Sequence, residues 1–275
     1  MTADLGLQET LETFLDAHAG VVTFYDMYDS AELVAALKRQ GCNSREGGSV
    51  SARDLGAAKA TFYMTAGMAS AMGGNETAAW HWYWRARAVY LAHRGDMEMR
   101  KRLGILYGVM GDLNKSLGYD METVVTCYVR AITCLGDEGG DAGESFSVGL
   151  ESGDEYQRAL SALLNKAGEM YHYAGDVRRA LEFYAKALDV RKARLDRLGA
   201  ARVSADVEVS ARLDVITSCA KVSDAQSALG MEAEAAASWG QGRSGIEEVS
   251  PQMHQVRLAK AHETFETLRA HFFSG

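Results

Sequence analysis

A chain of 275 residues, 47% of them hydrophobic, is long enough to bury a sizeable core. Its formal net charge of −8 argues against nucleic acid or an anionic membrane as the main partner, because both need a basic patch. No apolar run of about 18 residues exists to cross a membrane, the opening residues are acidic rather than signal-like, and the 4 cysteines lack framework spacing, so a reducing cytoplasmic setting is expected.

Residues 5–28 carry an apolar helical pattern through Leu7, Leu11, Phe14, Leu15, Val21, Val22, Phe24 and Tyr25. Asp29 with Glu32 resembles a capping box that starts a second helix over 30–40. Residues 1–50 therefore read as an N-terminal helical cap or degenerate repeat. Beyond a glycine-rich connection over 41–48, the pattern becomes periodic on a larger scale. Ala66-Gly67, Gly74-Asn75, Ala79, Tyr83 and Ala86 recur as Ala167-Gly168, Gly175-Asp176, Ala180, Tyr184 and Ala187, at a constant offset of 101 residues. Each set spells an amphipathic helix, a glycine turn and a second helix, with small residues where the helices must approach closely.

Between these two lies a displaced copy. Leu103-Gly104, Tyr107 and Gly111-Asp112 match the first-helix pattern, but Val124, Tyr128 and Ala131 fit only if about eight residues are skipped within 113–120. A long turn is expected there, and repeats fill 51–135. Residues 136–153 contain acidic side chains, no basic ones and few large apolar groups, so a flexible loop is predicted. Over 154–247 the repeats resume, and the helix containing Tyr184 is expected to continue through Val190, Ala193, Leu195 and Leu198. Val222, Ala225, Gly230, Ala235 and Trp239 form a weaker copy at an offset of 55, in which Gly242 replaces Ala187 and is expected to weaken the helix end. In 248–275, Ser250-Pro251 starts a helix whose stripe of Leu258, Ala261, Phe265, Leu268 and Phe272 suits a terminal cap.

This order of residues resembles the tetratricopeptide repeat (TPR), in a long-helix form similar to kinesin light chain repeats. The resemblance implies an all-α fold, a right-handed superhelix of antiparallel helix pairs with about eleven helices in all. It also implies that the first helices line a concave groove. On that register the groove residues are Met64, Met68 and Met72, then Glu98 and Lys101, then Asn165, Glu169 and His172, then Thr217, Ala220 and Asp224. Such a protein is expected to be a non-catalytic scaffold or adaptor that binds a peptide or helix of a partner, and the acidic lean of the groove residues suits a basic one. A vesicle-fusion adaptor similar to the SNAP family, or an enzyme or regulatory subunit with a helical active site, are the alternatives. Trp82, within the cluster Trp80 to Trp84, is a candidate hot spot on the convex face, with Trp80 and Trp84 packed between repeats.

Other motifs weigh less. Gly240 to Gly245 spells GxGxxG, but no strand precedes it and the pattern around it is helical, so dinucleotide binding is not expected. Asn75 follows a turn glycine and reads as a helix N-cap rather than a glycosylation acceptor. The histidines include no pair at i, i+4, so no metal site is expected, and no cofactor or catalytic motif stands out. The carboxylate clamp of co-chaperone TPRs is incomplete. Lys101 stands at its first position, but Ile105 and Thr217 replace the asparagine and a later lysine.

Overall fold

The computed structural model describes residues 52–136, 154–201, 203–249 and 254–273, and these are helical, with no strand among the described residues. The elements are α1 (Ala52–Met72), α2 (Glu76–Ala92), α3 (Met97–Ser116), α4 (Met121–Leu135), α5 (Asp154–Tyr173), α6 (Val177–Ala200), α7 (Ala205–Ala228), α8 (Glu232–Glu247) and α9 (Gln255–Phe273). The expected N-terminal cap over 1–50, the loop over 137–153 and the Ser250-Pro251 start lie outside the described residues. The chain divides into two compact units between Leu106 and Tyr107.

One turn chemistry is used four times. Gly74, Gly118, Gly175 and Gly230 have φ of +76°, +72°, +80° and +73°, the left-handed region in which a side chain is strained. The amide after each glycine donates to the carbonyl five residues earlier: Asn75 to Ser70, Tyr119 to Asn114, Asp176 to Tyr171 and Met231 to Gln226, at 2.8–3.0 Å. This six-to-one bond is the helix-ending Schellman motif, which consumes carbonyls the helix leaves open. After three of the four the next helix starts on a side-chain cap, whereas α8, after Gly230, has none. Asn75 Oδ1 accepts from the Ala78 amide, Asp120 from Thr123 and Asp176 from Arg179.

These turns correct the expected register of the second hairpin. α3 does not end near Gly111-Asp112 but runs to Ser116, and the turn glycine is Gly118. No long turn exists; Asp120 merely caps one residue later than Asn75 or Asp176. The slip is seven residues, about two helical turns, and seven residues return a helix to nearly the same face. The apolar pattern alone could not distinguish the two registers.

In the first unit, α1 and α2 pack antiparallel. A Cβ on Gly67 would strike the Tyr83 ring, and Trp82 lies stacked on Tyr63 (centroids 5.9 Å apart) and edge-on to Phe62. Further along, Asp96 of the α2–α3 turn caps Met99 and pairs with Arg53 at 2.6 Å.

In the second unit the same glycine–tyrosine contact recurs. Gly111 of α3 faces the Tyr128 ring of α4, and Gly168 of α5 faces the Tyr184 ring of α6, each within 2.6 Å of where a Cβ would be. Successive first helices also touch, since Leu163 of α5 fills the space over Gly108 of α3. α7 and α8 cross at Ser223, whose hydroxyl donates to the Ala235 carbonyl at 2.8 Å. α8 is unbroken by its glycines. Gly242 is buried because Phe265 of α9 occupies the place its side chain would need, which corrects the expected weakening at that residue. α9 follows α7 in the same direction, from His254 beside Asp206 to Arg257 on Ser210, and buries Leu258, Phe265 and Leu268.

Candidate functional site: a polar row on the first helices

The second unit carries a row of alternating charges across α3, α5 and α7. Asp112 of α3 accepts from Lys166 of α5 through both carboxylate oxygens, at 2.6 and 2.8 Å, and from the Tyr128 hydroxyl at 2.8 Å. One step on, Glu169 of α5 pairs with Lys221 of α7, and Lys221 lies 5.4 Å from the Tyr184 ring centre. In each step an acid next to the close-packed glycine position takes a lysine from the following first helix. The tyrosine that fills the glycine contact lies beneath. Burial raises the Tyr184 phenol well above its usual range, and the negative charges of Glu169 and Asp224 add to that. Tyr128 is raised likewise, by burial first and then by its bond to Asp112.

The row ends differently from how it begins. Asp224 is exposed and has no cation paired with it among the described residues. Among the described residues the Tyr184 hydroxyl makes no hydrogen bond, in contrast to Tyr128, which bonds Asp112. Asn165, one turn before Glu169, is only 5% exposed, and among the described residues neither its amide nitrogen nor its oxygen has a hydrogen-bond partner. A buried polar group left unmet costs about 1–3 kcal/mol, so a side chain with two is an expensive resident. His172 is tilted over Tyr184 at 6.4 Å between ring centres.

Of the residues expected from sequence, Glu169, His172 and Asp224 thus gather around Tyr184, and Asn165 lies one turn before Glu169 on α5. The roles of Tyr184 and the two lysines were not anticipated, because the repeat pattern marks Tyr184 as packing and the lysines' partners lie in other repeats. With the corrected register, Gly108 and Asp112 stand where Asn165 and Glu169 stand in the next repeat. Lys101 and Glu98 do not belong to this row. Lys101 is buried, and Glu98 is held by Arg102 at 2.9 Å one turn away. In the first unit the methionine stripe opens outward along α1: Met64 is half-buried, Met68 is 46% exposed and Met72 is 88% exposed.

Trp82 overturns its assignment. It is buried between Phe62 and Tyr63 and cannot serve as a surface hot spot. Trp84 is the exposed member instead, edge-on to Trp80 at 5.8 Å and covered in part by the Arg87 guanidinium at 4.6 Å. The GxGxxG stretch lies wholly within α8, with no strand before it. Among the described residues, no group of three or more His, Cys, Asp or Glu could hold a metal ion, and no helix is long and apolar enough to cross a membrane.

No protein-family profile and no curated protein matches the chain. Among solved structures it is similar to the crystal structure of BtubC (BKLC) from P. vanneervenii, with a TM-score of 0.51 and 15% sequence identity over 90% of this chain and 83% of that one. A likeness at that identity shows the fold alone, a helical-repeat architecture.

Proposed function

We propose that the chain is a non-catalytic scaffold that holds an extended peptide or helix of a partner protein against its first helices, within a TPR-like superhelix. The observation that carries this reading is Asn165, whose buried amide has donor and acceptor capacity that no described residue meets. A peptide backbone offers both complements in one unit. Asp224, close enough to act on Tyr184, and the Tyr184 hydroxyl also keep hydrogen-bonding capacity that no described residue uses.

The charge of the partner follows from the row. Lys166 and Lys221 neutralise Asp112 and Glu169, so the face is not broadly acidic. Of the row's acids, Asp224 is the one with no cation paired with it among the described residues, which favours one lysine or arginine at a defined position rather than a basic tract. Selection of a displayed random-peptide library on the purified chain tests the reading. The expected outcome is a family of binders that share a basic residue and lose affinity at least tenfold to Asn165→Ala and Asp224→Lys. Selected peptides that bind both variants like the parent would refute it.

A further inference from the structure

Away from the polar row, the contacts among α5, α6, α7 and α9 hold an excess of positive charge. Arg194 of α6 is only 4% exposed and is gripped by Asp154 of α5 at 2.6 and 3.0 Å, with Asp214 of α7 at 3.4 Å. Asp214 also takes Arg257 of α9 at 2.7 Å. The two aspartates are thereby spent on two arginines. Arg191, one turn before Arg194, is mostly buried, and among the described residues it forms no ion pair with a carboxylate side chain. Its Nη1 donates to the Asp214 carbonyl at 2.7 Å and to the Ser218 hydroxyl at 2.9 Å, and its Nε donates to the Ser161 hydroxyl at 3.4 Å. Those three bonds use Nε and both hydrogens of Nη1. The two hydrogens of Nη2 are engaged by none of them.

A buried guanidinium with neutral partners is costly, and its neighbours increase the cost. Burial first, then the charges of Arg257 and Arg194, disfavour its cationic form, and Asp214 offsets this only in part. Three neutral acceptors nevertheless fix its plane between Ser161 and Ser218, which are both buried. A held guanidinium edge beside two serine hydroxyls, in a field of like charge, matches a tetrahedral oxyanion. The anion would accept from Nη2 and the Ser218 hydroxyl and restore the charge balance, while Ser161, whose hydroxyl donates to the Arg158 carbonyl at 3.1 Å, holds Nε in place. We propose that Arg191, with Ser161 and Ser218, forms a binding site for a phosphate group between α5, α6 and α7.

The test is calorimetric titration of the whole chain with inorganic phosphate, and separately with phenyl phosphate, against chloride at matched ionic strength. Saturable binding of either is expected, and which one binds distinguishes a free ion from a phosphomonoester. Arg191→Lys, which keeps the charge but loses the fork, should weaken binding at least tenfold. Arg178→Gln, an exposed change on the same helix, should leave it unaltered. If Arg191→Lys fails to fold, backbone NMR shifts of the parent chain on adding phosphate decide the matter. Shifts centred on Ser161, Arg191 and Ser218 support the site. The absence of saturable binding, equal binding by Arg191→Lys, or shifts centred elsewhere would overturn it.

Discussion

The hairpins α5–α6 and α7–α8 solve one packing problem with different chemistry. In both, a first helix passes very close to a second at equivalent positions, Gly168 beside Ala180 and Ser223 beside Ala235. At Gly168 the approach is filled by the Tyr184 ring, and a Cβ would also lie 3.2 Å from the Ala180 carbonyl oxygen. At Ser223 the side chain is present and uses that carbonyl, bonding Ala235 at 2.8 Å. Trp239 stands where Tyr184 does, and its Nε1 donates outward to the Phe265 carbonyl at 3.0 Å. The glycine has moved to the other helix, where Gly242 admits Phe265 of α9. An interior hairpin is thus closed by its own tyrosine, whereas the last one is closed by the helix that covers it.

The largest effects should come from filling the two glycines. Gly168→Leu and Gly242→Leu should each cost about 3 kcal/mol by overpacking buried rings, although leucine is the better helix former. The comparison predicts different rescues. Tyr184→Ala should recover part of the loss at Gly168, and Phe265→Ala part of that at Gly242, with neither helping the other site. Denaturant midpoints of the single and double variants check this, and a rescue that crossed between hairpins would break the distinction.

The two hairpins were unequally legible. The Gly168–Tyr184 pair could be read from sequence because both partners sit 16 residues apart within one repeat, and the same spacing occurs at Gly67–Tyr83. Gly242 looked like a defect, because the ring that requires it lies in a helix outside the repeat. The all-helical fold was legible, as the helices show their own periodicity and four of the turns carry a glycine. The register of α3 was not, since a slip of two turns preserves the face. Nor was Trp82, because an alternating run of aromatics on a helix does not say which one faces the neighbour. For the candidate site, Asn165, Glu169, His172 and Asp224 followed from register, whereas the lysines that neutralise Asp112 and Glu169 come from repeats more than 50 residues away. Charge pairing over that separation leaves no local mark.

Alkaline pH should separate the hairpins next. Cys219 of α7 is fully buried against Gly242, and its counterpart in α5 is Leu164, which cannot titrate. Burial pushes the Cys219 thiol up to about 11, while an unfolded thiol ionises near 8.5. The folded state therefore holds the proton more tightly. The stability it contributes is complete below the unfolded value and falls as pH rises toward the folded one. The loss should reach about 1–2 kcal/mol by pH 10. The difference in stability between the parent and Cys219→Ala should change by that amount between pH 8 and pH 10. A constant difference would show that the thiol is less enclosed than Leu164.

A smaller contrast lies in the aromatic pair. Trp239→Phe removes the donor to the Phe265 carbonyl and should cost about 1 kcal/mol beyond its lost area. Tyr184→Phe removes a hydroxyl that has no partner among the described residues and should be nearly neutral for folding. If the proposed groove is correct, that same change should weaken a selected peptide. Stability and binding would then respond to opposite hairpins.

The smallest effect concerns the charge row that links the hairpins. Lys166–Asp112 and Lys221–Glu169 are partly exposed pairs, with lysine side chains 40% and 27% exposed. Pairs of this kind contribute about 0–1 kcal/mol, because solvent screens the attraction and ordering the lysine opposes it. Lys221→Met should therefore change stability by less than about 1 kcal/mol, and Lys166→Met by less still, given its greater exposure. Their effect on binding should be larger than on folding. Removing Lys221 frees Glu169 beside Asp224 and doubles the uncompensated charge around Tyr184. A basic peptide should then bind Lys221→Met more tightly at low salt, with the gain fading as salt is added. In Lys221→Met/Glu169→Gln the charge count returns to that of the parent, and so should the affinity. If Lys221→Met instead weakened the peptide, lysine would be contacting the ligand directly, and the row would be part of the binding surface rather than its electrostatic frame.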